Sequence, residues 1–307
     1  MSHDTHTQSK RNQDLDVVDG DKSAGLDYYL SLSCDWQDPS PPPTILHHSP
    51  SDVMVIREDL VDGKMRAGDL LVQRTESDHL VYVAPRFGHA ALALAKLAKR
   101  YGKKLTLFMP AAKQISEHQA VAIELGAEPI FMRIAAMPNL NKAAREYAES
   151  KRATFIPLGL RHELVTAALV RTAWNISNSM GHQPLEFWCA VSTGVLMRSL
   201  QIAWPDAVAN GVAVARNIHE GERGDCELYS YPRAFAQDSL VRPDFPCASN
   251  YDAKAWHTML DHKRDGVGPV WFWNVAGEMR PTSEAWYHRV DSDAKWGEIK
   301  KPKFPRR

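Results

Sequence analysis

The stretch that decides the fold is REDLVDGKMR, which spans residues 57–66. The apolar run from Val53 to Ile56 precedes it and predicts a β-strand. Charged and small residues then predict a turn that ends on Lys64. A lysine at the mouth of a strand–turn unit can lie inside a cleft, where desolvation lowers its pKa and makes its amine nucleophilic. Taken alone, the pattern also fits a lysine on the protein surface, where most lysines lie.

The composition limits the size and the partners of the protein. Its 307 residues, 44% of them hydrophobic, suffice for a large core or for two lobes with a cleft between them. The 37 Lys and Arg balance the 37 Asp and Glu, so the charge argues against nucleic acid or an acidic membrane surface as partner, although a local nucleic-acid patch stays open. The cysteines form no CxxC pair, which favours a reducing compartment; they are Cys34, Cys189, Cys226 and Cys247.

The first 50 residues are predicted to be a polar, proline-rich leader that is partly disordered. They lack the apolar core of a signal peptide, and no window of the chain approaches the ~18 apolar residues of a membrane span. We therefore expect a soluble, cytoplasmic protein. The apolar patch Leu26 to Leu32 can dock on the body. His47 and His48 are adjacent but lack further ligands, so no metal site is predicted.

From Val53 onward, strand patterns alternate with helix patterns. Strands are predicted at 80–84, 105–109, 129–134, 154–156, 187–191, 211–215 and 269–274, and helices at 88–101, 116–125, 141–150, 163–178, 195–202 and 251–262. This alternation implies a mostly parallel sheet with helices on both faces. The polar and basic segment 279–307 is predicted to be a C-terminal tail.

Ligands of open parallel sheets bind beyond the carboxyl ends of the strands, and four such ends stand out. They are the Lys64 turn, APRFGH at 84–89, VSTG at 191–194 and NVAG at 274–277. Ser192, Thr193 and Gly194 precede a predicted helix, whose N-terminal N–H groups and dipole can bind an anion. The alternative for this turn is a simple helix N-cap. The sequence contains no Walker, GxGxxG, HExxH or GxSxG motif.

Six segments, in order, resemble those of the fold-type II pyridoxal-phosphate (PLP) enzymes, above all the branch of 1-aminocyclopropane-1-carboxylate deaminase and D-cysteine desulfhydrase. REDLVDGKMR is similar to the family's RDDL…GGNKxRKL, and APRFGHAALALAKLAKRYGKKLTLFMP to SNHARxxAxxAxxxGxxxxLxMP. TFIPLGLRHELVTAALV is similar to YxIPxGGxN…GxxGYV, and CAVSTGVLMRSL to GSGGTLAGL. YDAKAWHTMLDH is similar to YTGKAMAGLxD, and GPVWFWNVAGE to xxVLFIHTGGx. The resemblance covers about Val53 to Glu278, and the shared order and spacing make it specific for the fold.

The resemblance implies a two-lobed α/β protein of the tryptophan synthase β-like fold, with open parallel sheets and helices on both faces. It implies a larger PLP-binding lobe over residues 51–74 and 156–278, and a smaller α/β lobe over 75–155. PLP is expected in the cleft as an internal aldimine with Lys64. The family commonly forms dimers, so a homodimer is expected.

The resemblance also assigns the site. The expected catalytic residues are Lys64, His89 and Tyr251, and the expected substrate contacts are Arg86, Phe87 and Tyr251. The expected cofactor contacts are Lys64, Gly88, His89, Ser192, Thr193, Gly194, Val195 and Asn274. Phe87 and Gly88 stand where the family has a serine and an asparagine. Asn274 opens the segment that replaces the HTGG turn, which in the family supplies a threonine to the pyridine nitrogen.

The implied reaction is β-elimination or β-replacement on a small amino acid, in which Lys64 removes a proton and the pyridine ring accepts electrons. Two alternatives stay open. The first is a catalytically reduced member of the family that binds a phosphorylated ligand or a partner through the same cleft, and the departures from the family pattern favour it. The second is a PLP enzyme that modifies an amino-acid group on a larger substrate such as a nucleotide, which the Arg86-Phe87 loop and the basic tail suggest.

Overall fold

The computed structural model of the chain describes residues 25–112, 115–133, 136–215, 218, 220–264, 266 and 268–278. The helices are α1 Leu26–Leu32, α2 Gly63–Arg74, α3 Ala90–Arg100, α4 Glu117–Glu124, α5 Met137–Lys151, α6 Glu163–Met180, α7 Val195–Ala203, α8 Glu220–Arg223 and α9 Asp252–His262. The strands are β1 Thr44–His48, β2 Val53–Arg57, β3 His79–Val83, β4 Lys104–Pro110, β5 Glu128–Met132, β6 Thr154–Ile156, β7 Glu186–Val191, β8 Val208–Ala213, β9 Glu227–Ser230 and β10 Val270–Asn274. Short 3-10 helices span Glu58–Leu60 and Leu158–Leu160.

The larger sheet has six strands in the order β1-β2-β10-β7-β8-β9. Strand β1 pairs antiparallel with β2, and the other neighbours pair in parallel. Every residue of β7 and β10 is buried, which is why both strands are continuous apolar runs rather than alternating ones. Trp271 and Trp273 of β10 are core residues.

The smaller sheet has four parallel strands in the order β5-β4-β3-β6, all drawn from residues 79–156. Helix α3 follows β3 and buries its alanines and leucines, which are good helix formers. Helix α3 ends at Arg100. Gly102, two residues later, has a φ of +63°, a left-handed conformation that favours glycine. The predicted α/β architecture, with parallel sheets flanked by helices, is confirmed.

The predicted leader is structured from Gly25 onward. The apolar patch at 26–32 forms α1, and its Tyr29 is fully buried. Strand β1 was not predicted. It pairs antiparallel with β2 across the turn at 49–52, and its own residues show no strand pattern. Residues 1–24 and the predicted tail at 279–307 lie outside the described residues.

The predicted strands and helices are present, but apart from the strand at 154–156 their bounds differ from the prediction by one to four residues at one or both ends. The largest shift is in α5, which begins at Met137 rather than at residue 141. The strand predicted at 211–215 begins earlier, at Val208, and ends at Ala213. The helix predicted from Tyr251 begins one residue later, because Tyr251 has a non-helical backbone and occupies the N-cap position. Within the part of the chain that is described, no helix is both long and apolar enough to cross a bilayer.

Candidate functional site

Three of the four predicted strand ends lie side by side in the larger sheet. Strand β10 pairs in parallel with β2 on one side and with β7 on the other, with Asn274 opposite Arg57 and Trp273 opposite Cys189. The residues that follow these strands therefore meet at one edge. His89 follows β3 of the smaller sheet, at the fourth strand end. It lies close enough to Lys64 for the charge of that lysine to lower the pKa of His89. We call the space bounded by Lys64, His89, Tyr251 and Asp252 the cleft.

The turn that carries Lys64 is held tightly from two sides. Gly63 donates its N–H to the carbonyl oxygen of Val275, at 2.9 Å. One turn along α2, buried Arg66 donates to the buried carboxylate of Glu58 at 2.9 Å and also contacts Asp38. These contacts fix the first turn of α2, and with it the backbone that presents Lys64.

Asp62, two residues before Lys64, has a φ of +66°, an unusual conformation for a residue with a side chain. Its carboxylate accepts a hydrogen bond from Nζ of Lys96, at 3.1 Å. Burial nevertheless raises the pKa of Asp62, and the two lysines only partly oppose that effect. Strained backbone of this kind concentrates at functional sites.

Lys64 is half-buried, and its Nζ forms no hydrogen bond or ion pair with the described residues. Burial lowers the pKa of its ammonium group, while Asp252, Asp62 and Cys189 oppose that change. A lowered pKa increases the share of the neutral amine, which is the nucleophilic form. The site can therefore provide an amine that reacts with a carbonyl group.

Four buried polar atoms around the cleft have no hydrogen-bond partner among the described residues. They are Oδ1 of Asp62, Nδ1 of His89, Oδ1 of Asp252 and Oδ1 of Asn274. Unsatisfied buried polar atoms are rare in folded proteins, and each one calls for a ligand, a water or a functional reason. Their gathering around Lys64 indicates a site shaped for a polar ligand.

Asp252 is a member of this group that the sequence analysis did not identify. It is fully buried at the start of α9, and its Oδ2 accepts the N–H of Ala276 at 3.1 Å. Burial raises the pKa of Asp252 to about 8, while the N–H groups of Ala276 and Val275 act in the opposite direction. The signal available in the sequence was its position directly after Tyr251, at the start of a predicted helix.

Aromatic side chains connect the two sheets at the side of the cleft. The rings of Phe87 and Phe235 lie edge to face with centroids 6.1 Å apart, and Phe235 in turn lies 6.3 Å from Tyr251. Burial raises the pKa of the Tyr251 hydroxyl. Arg86 is exposed, with its guanidinium 5.9 Å from the centroid of the Phe87 ring. The structure thus brings Phe87 and Tyr251 together through Phe235, which lies in a stretch without a readable pattern.

The turn between β7 and α7 has the properties of an anion site. Gly194 is the N-cap residue of α7, and no side chain at this N-cap position accepts a hydrogen bond from the first turn of the helix. Gly194, with a φ of +74°, has no space for a side chain, because a Cβ there would overlap the carbonyl oxygen of Glu222. Ser192 and Thr193 are half-buried and Val195 is buried.

Arg161 adds a positive charge to this turn, and the sequence analysis did not identify it. Its Nη2 donates to the carbonyl oxygen of Thr193 at 3.4 Å and to Oε1 of Glu222 at 2.7 Å. A carboxylate of the chain itself is therefore held by an arginine beside the start of α7. This placement shows that the region accommodates a negative group.

The structure also shows the hydrogen bonds of Asn274 and the backbone conformation of Gly88, two of the predicted cofactor contacts. The amide nitrogen of Asn274 donates to Asp59 and to the carbonyl oxygen of Pro246, both at 2.8 Å, so only its Oδ1 remains for a ligand. Gly88 has a φ of +143°, a conformation that favours glycine and places His89 at the start of α3. Within the described ranges, no group of three or more His, Cys, Asp or Glu side chains is suited to a metal ion.

No protein-family model matches the chain, and no curated protein matches it. Solved structures do match it. An ACC deaminase homologue is 18% identical, with a TM-score of 0.71 over 82% of this chain and 95% of that one. Diaminopropionate ammonia lyase from Escherichia coli, in apo form, is 13% identical, with a TM-score of 0.60 over 90% and 92% of the two chains. A threonine deaminase from T.th. is 17% identical, with a TM-score of 0.60 over 84% and 98%. The chain therefore has the fold of the fold-type II PLP enzymes.

Proposed function

We propose that the chain is a PLP-dependent enzyme that acts on a small amino acid by β-elimination or β-replacement. The observation that carries this proposal is the half-buried Lys64, with its lowered pKa, among the unpartnered polar atoms of Asp62, His89 and Asp252. A fold shared with PLP enzymes supports the choice of cofactor. A fold alone does not define a reaction, so the proposed reaction must be argued from the residues of the site.

The residues at the cleft suit the different parts of the cofactor. Ser192 to Val195, with the uncapped start of α7, would hold the phosphate, and Arg161 would add a charge-assisted hydrogen bond. Asp252, His89 and Asn274 each offer an unpartnered polar atom to the ring and its substituents. Nζ of Lys64 would form the covalent link to the aldehyde carbon.

When bound, PLP supplies an electron sink for the carbanion that develops at the substrate α-carbon. In the proposed reaction, the amino group of the substrate would replace Nζ of Lys64 at the aldehyde carbon. The released Nζ would then accept the α-proton, and its lowered pKa would keep part of the amine neutral and able to do so. Asp252 and Asp62 act on the pKa of Lys64 in the direction that favours the ammonium that would then form. Phe87, Phe235 and Tyr251 exclude water from the same space. Loss of the β-substituent and hydrolysis give a keto acid and ammonia, whereas capture by a nucleophile gives a β-substituted amino acid.

Two proteins of similar structure, a threonine deaminase and a diaminopropionate ammonia lyase, are named for reactions of this class. To test it, the full chain with PLP is incubated with serine, threonine, cysteine and diaminopropionate in both configurations. Keto acid and ammonia are then measured, with and without an added thiol. We expect turnover of at least one amino acid by wild type and none by Lys64→Ala. Equal background rates for both proteins would overturn the proposal.

A second candidate is a catalytically reduced protein that binds a phosphorylated ligand. One observation favours it: Glu222 already holds Arg161 and covers Gly194 at the anion site. This candidate predicts that a phosphorylated ligand binds wild type and Lys64→Ala equally well, without attachment to the lysine. Titration of both proteins with PLP and with its 4-hydroxymethyl analogue, pyridoxine phosphate, separates the two functions.

We also propose the division of the chain into lobes, its oligomeric state and its location in the cell. The larger lobe would comprise residues 51–74 and 156–278, and the smaller lobe residues 75–155. The protein would be a cytoplasmic homodimer. Limited proteolysis between the lobes tests the first statement, light scattering of the purified chain tests the dimer, and cell fractionation tests the location.

A further inference from the structure

We infer that His118 is a positioning residue, which fixes the tautomer of His89 so that His89 presents a neutral Nδ1–H donor to the cleft. Nε2 of His118 lies 3.4 Å from Nε2 of His89, and the two rings meet edge to face with centroids 4.7 Å apart. The direction of the hydrogen bond and the ligand named below rest on the proposed function, whereas the contact between the two rings does not.

His118 is held against His89 by the start of α4. Ser116 and Gln119 form a capping box, in which each side chain bonds to the other residue's backbone N–H. The side-chain amide of Gln119 also donates to the carbonyl oxygen of Ala84, at 3.2 Å. Ala84 directly follows β3, in the loop that leads to His89. The first turn of α4, which carries His118, is therefore anchored to that loop.

Both imidazoles of the pair are neutral at physiological pH. Burial lowers the pKa of His89 to about 3, and His118, Lys64 and Lys96 act in the same direction. Burial also lowers the pKa of His118. The cations that act on His89 are Lys64 of α2 and Lys96 of its own helix. Asp62 pairs with Lys96 at 3.1 Å, and Asp62 and Asp252 lie near Lys64. Each ring then carries one proton, on either of its two nitrogens.

The contact between the Nε2 atoms limits how these two protons are arranged. A hydrogen bond between them requires one donor and one acceptor, so one ring is protonated at Nε2 and the other is not. When His118 donates, the proton of His89 resides on Nδ1. That atom is buried and has no partner among the described residues, at the start of a helix with no side-chain cap. A donor there suits an anionic oxygen of the cofactor or of the substrate, because the helix N-terminus favours negative charge as well.

Two variants of His118 separate a positioning role from a merely structural one. His118→Gln retains an amide that can donate to Nε2 of His89. His118→Phe retains a ring of similar shape but has no donor. His182→Phe, at an exposed histidine of another part of the molecule, is the matched control. Circular dichroism establishes that each variant is folded.

The first measurement is the histidine tautomer, by long-range ¹H–¹⁵N correlation on full-length protein labelled with ¹⁵N-histidine, with His89 assigned from His89→Gln. We expect His89 to be protonated at Nδ1 in wild type, in His118→Gln and in the control. In His118→Phe we expect a shift toward Nε2 protonation. An unchanged His89 tautomer in folded His118→Phe, or protonation at Nε2 in wild type, overturns the inference.

The second measurement is the dissociation constant for PLP, from absorbance titration. We expect it to rise by about tenfold in His118→Phe, the effect of a lost hydrogen bond to a charged group, and to recover in His118→Gln. If wild type binds PLP and His118→Phe binds it equally, the positioning role is overturned while the proposed function stands. If wild type does not bind PLP but the tautomers behave as expected, the proposed function fails and the role of His118 is supported.

Discussion

Gly63 and Val275 join two distant parts of the chain, because the N–H of Gly63 donates to the carbonyl oxygen of Val275 at 2.9 Å. The contact leaves no room for a side chain. A Cβ on Gly63 would lie 2.9 Å from that oxygen and 3.0 Å from Cβ of Glu58. Lys64 follows directly, so its position depends on this approach between the start of α2 and the loop after β10.

Replacing Gly63 by alanine tests that dependence. We expect Gly63→Ala to lower the free energy of unfolding by about 1–3 kcal/mol, the usual cost of overpacking, and to reduce PLP attachment. Urea denaturation and absorbance titration measure the two effects. Gly25→Ala is the control, since nothing lies within 4 Å of a Cβ there. Equal stability of the two variants would show that the turn is not tightly held.

Arg161 provides a test of the anion site. We expect Arg161→Gln to raise the dissociation constant for PLP by about 10- to 100-fold, because a hydrogen bond to a charged group is lost. Glu222→Gln removes the carboxylate that Arg161 holds, so its affinity should equal or exceed that of wild type. Arg242→Gln, at an exposed arginine, is the control. Unchanged affinity in Arg161→Gln would contradict a phosphate site at the start of α7.

The raised pKa of Asp252 predicts a pH dependence of stability in the ligand-free protein. Its pKa is about 8 in the folded protein, whereas the ordinary pKa of an aspartate is 3.8. Between these values the folded state retains a proton that the unfolded state has lost. The contribution of this carboxyl is therefore complete below about pH 4 and is lost as the pH rises through 8.

Asp252→Asn imitates the protonated carboxyl and does not titrate. We expect its Tm, relative to wild type, to increase between about pH 5 and pH 8 and to level off above that. Thermal unfolding across this range measures the difference, and Asp261→Asn, at an exposed position in the same helix, should follow wild type. Parallel curves for Asp252→Asn and wild type would show that burial does not raise this pKa.

Phe235 connects the loop after β3 with Tyr251, and its removal should loosen that loop. An edge-to-face ring contact contributes about 0.5–1.5 kcal/mol, so we expect hydrogen exchange at residues 85–89 to become roughly 2- to 10-fold faster in Phe235→Ala. Leu240→Ala, at an exposed leucine in the same stretch, is the control. Equal protection of residues 85–89 in both variants would sink the idea that the ring closes this side of the cleft.

Local patterns were sufficient to predict the alternation of strands and helices. They also identified the three strand ends that lie side by side in the larger sheet, those that follow β2, β7 and β10. Buried parallel strands such as β7 and β10 are continuous apolar runs, which can be recognised without knowing their neighbours. Strand β1, Asp252, Arg161 and His118 were not identified. Their importance depends on contacts with residues far along the chain, such as Glu222 for Arg161 and His89 for His118. A single sequence carries no periodic signal for such contacts.

The covalent role of Lys64 is the central claim, and borohydride reduction in the presence of PLP tests it most directly. Wild type, Lys64→Ala and the exposed-lysine control Lys104→Ala are treated alike, digested and analysed by peptide mass spectrometry. We predict one dominant pyridoxyl group, on the peptide that contains Lys64, in wild type and in Lys104→Ala, and none in Lys64→Ala. A pyridoxyl group spread over several lysines, or one that persists at the same level in Lys64→Ala, would contradict the account.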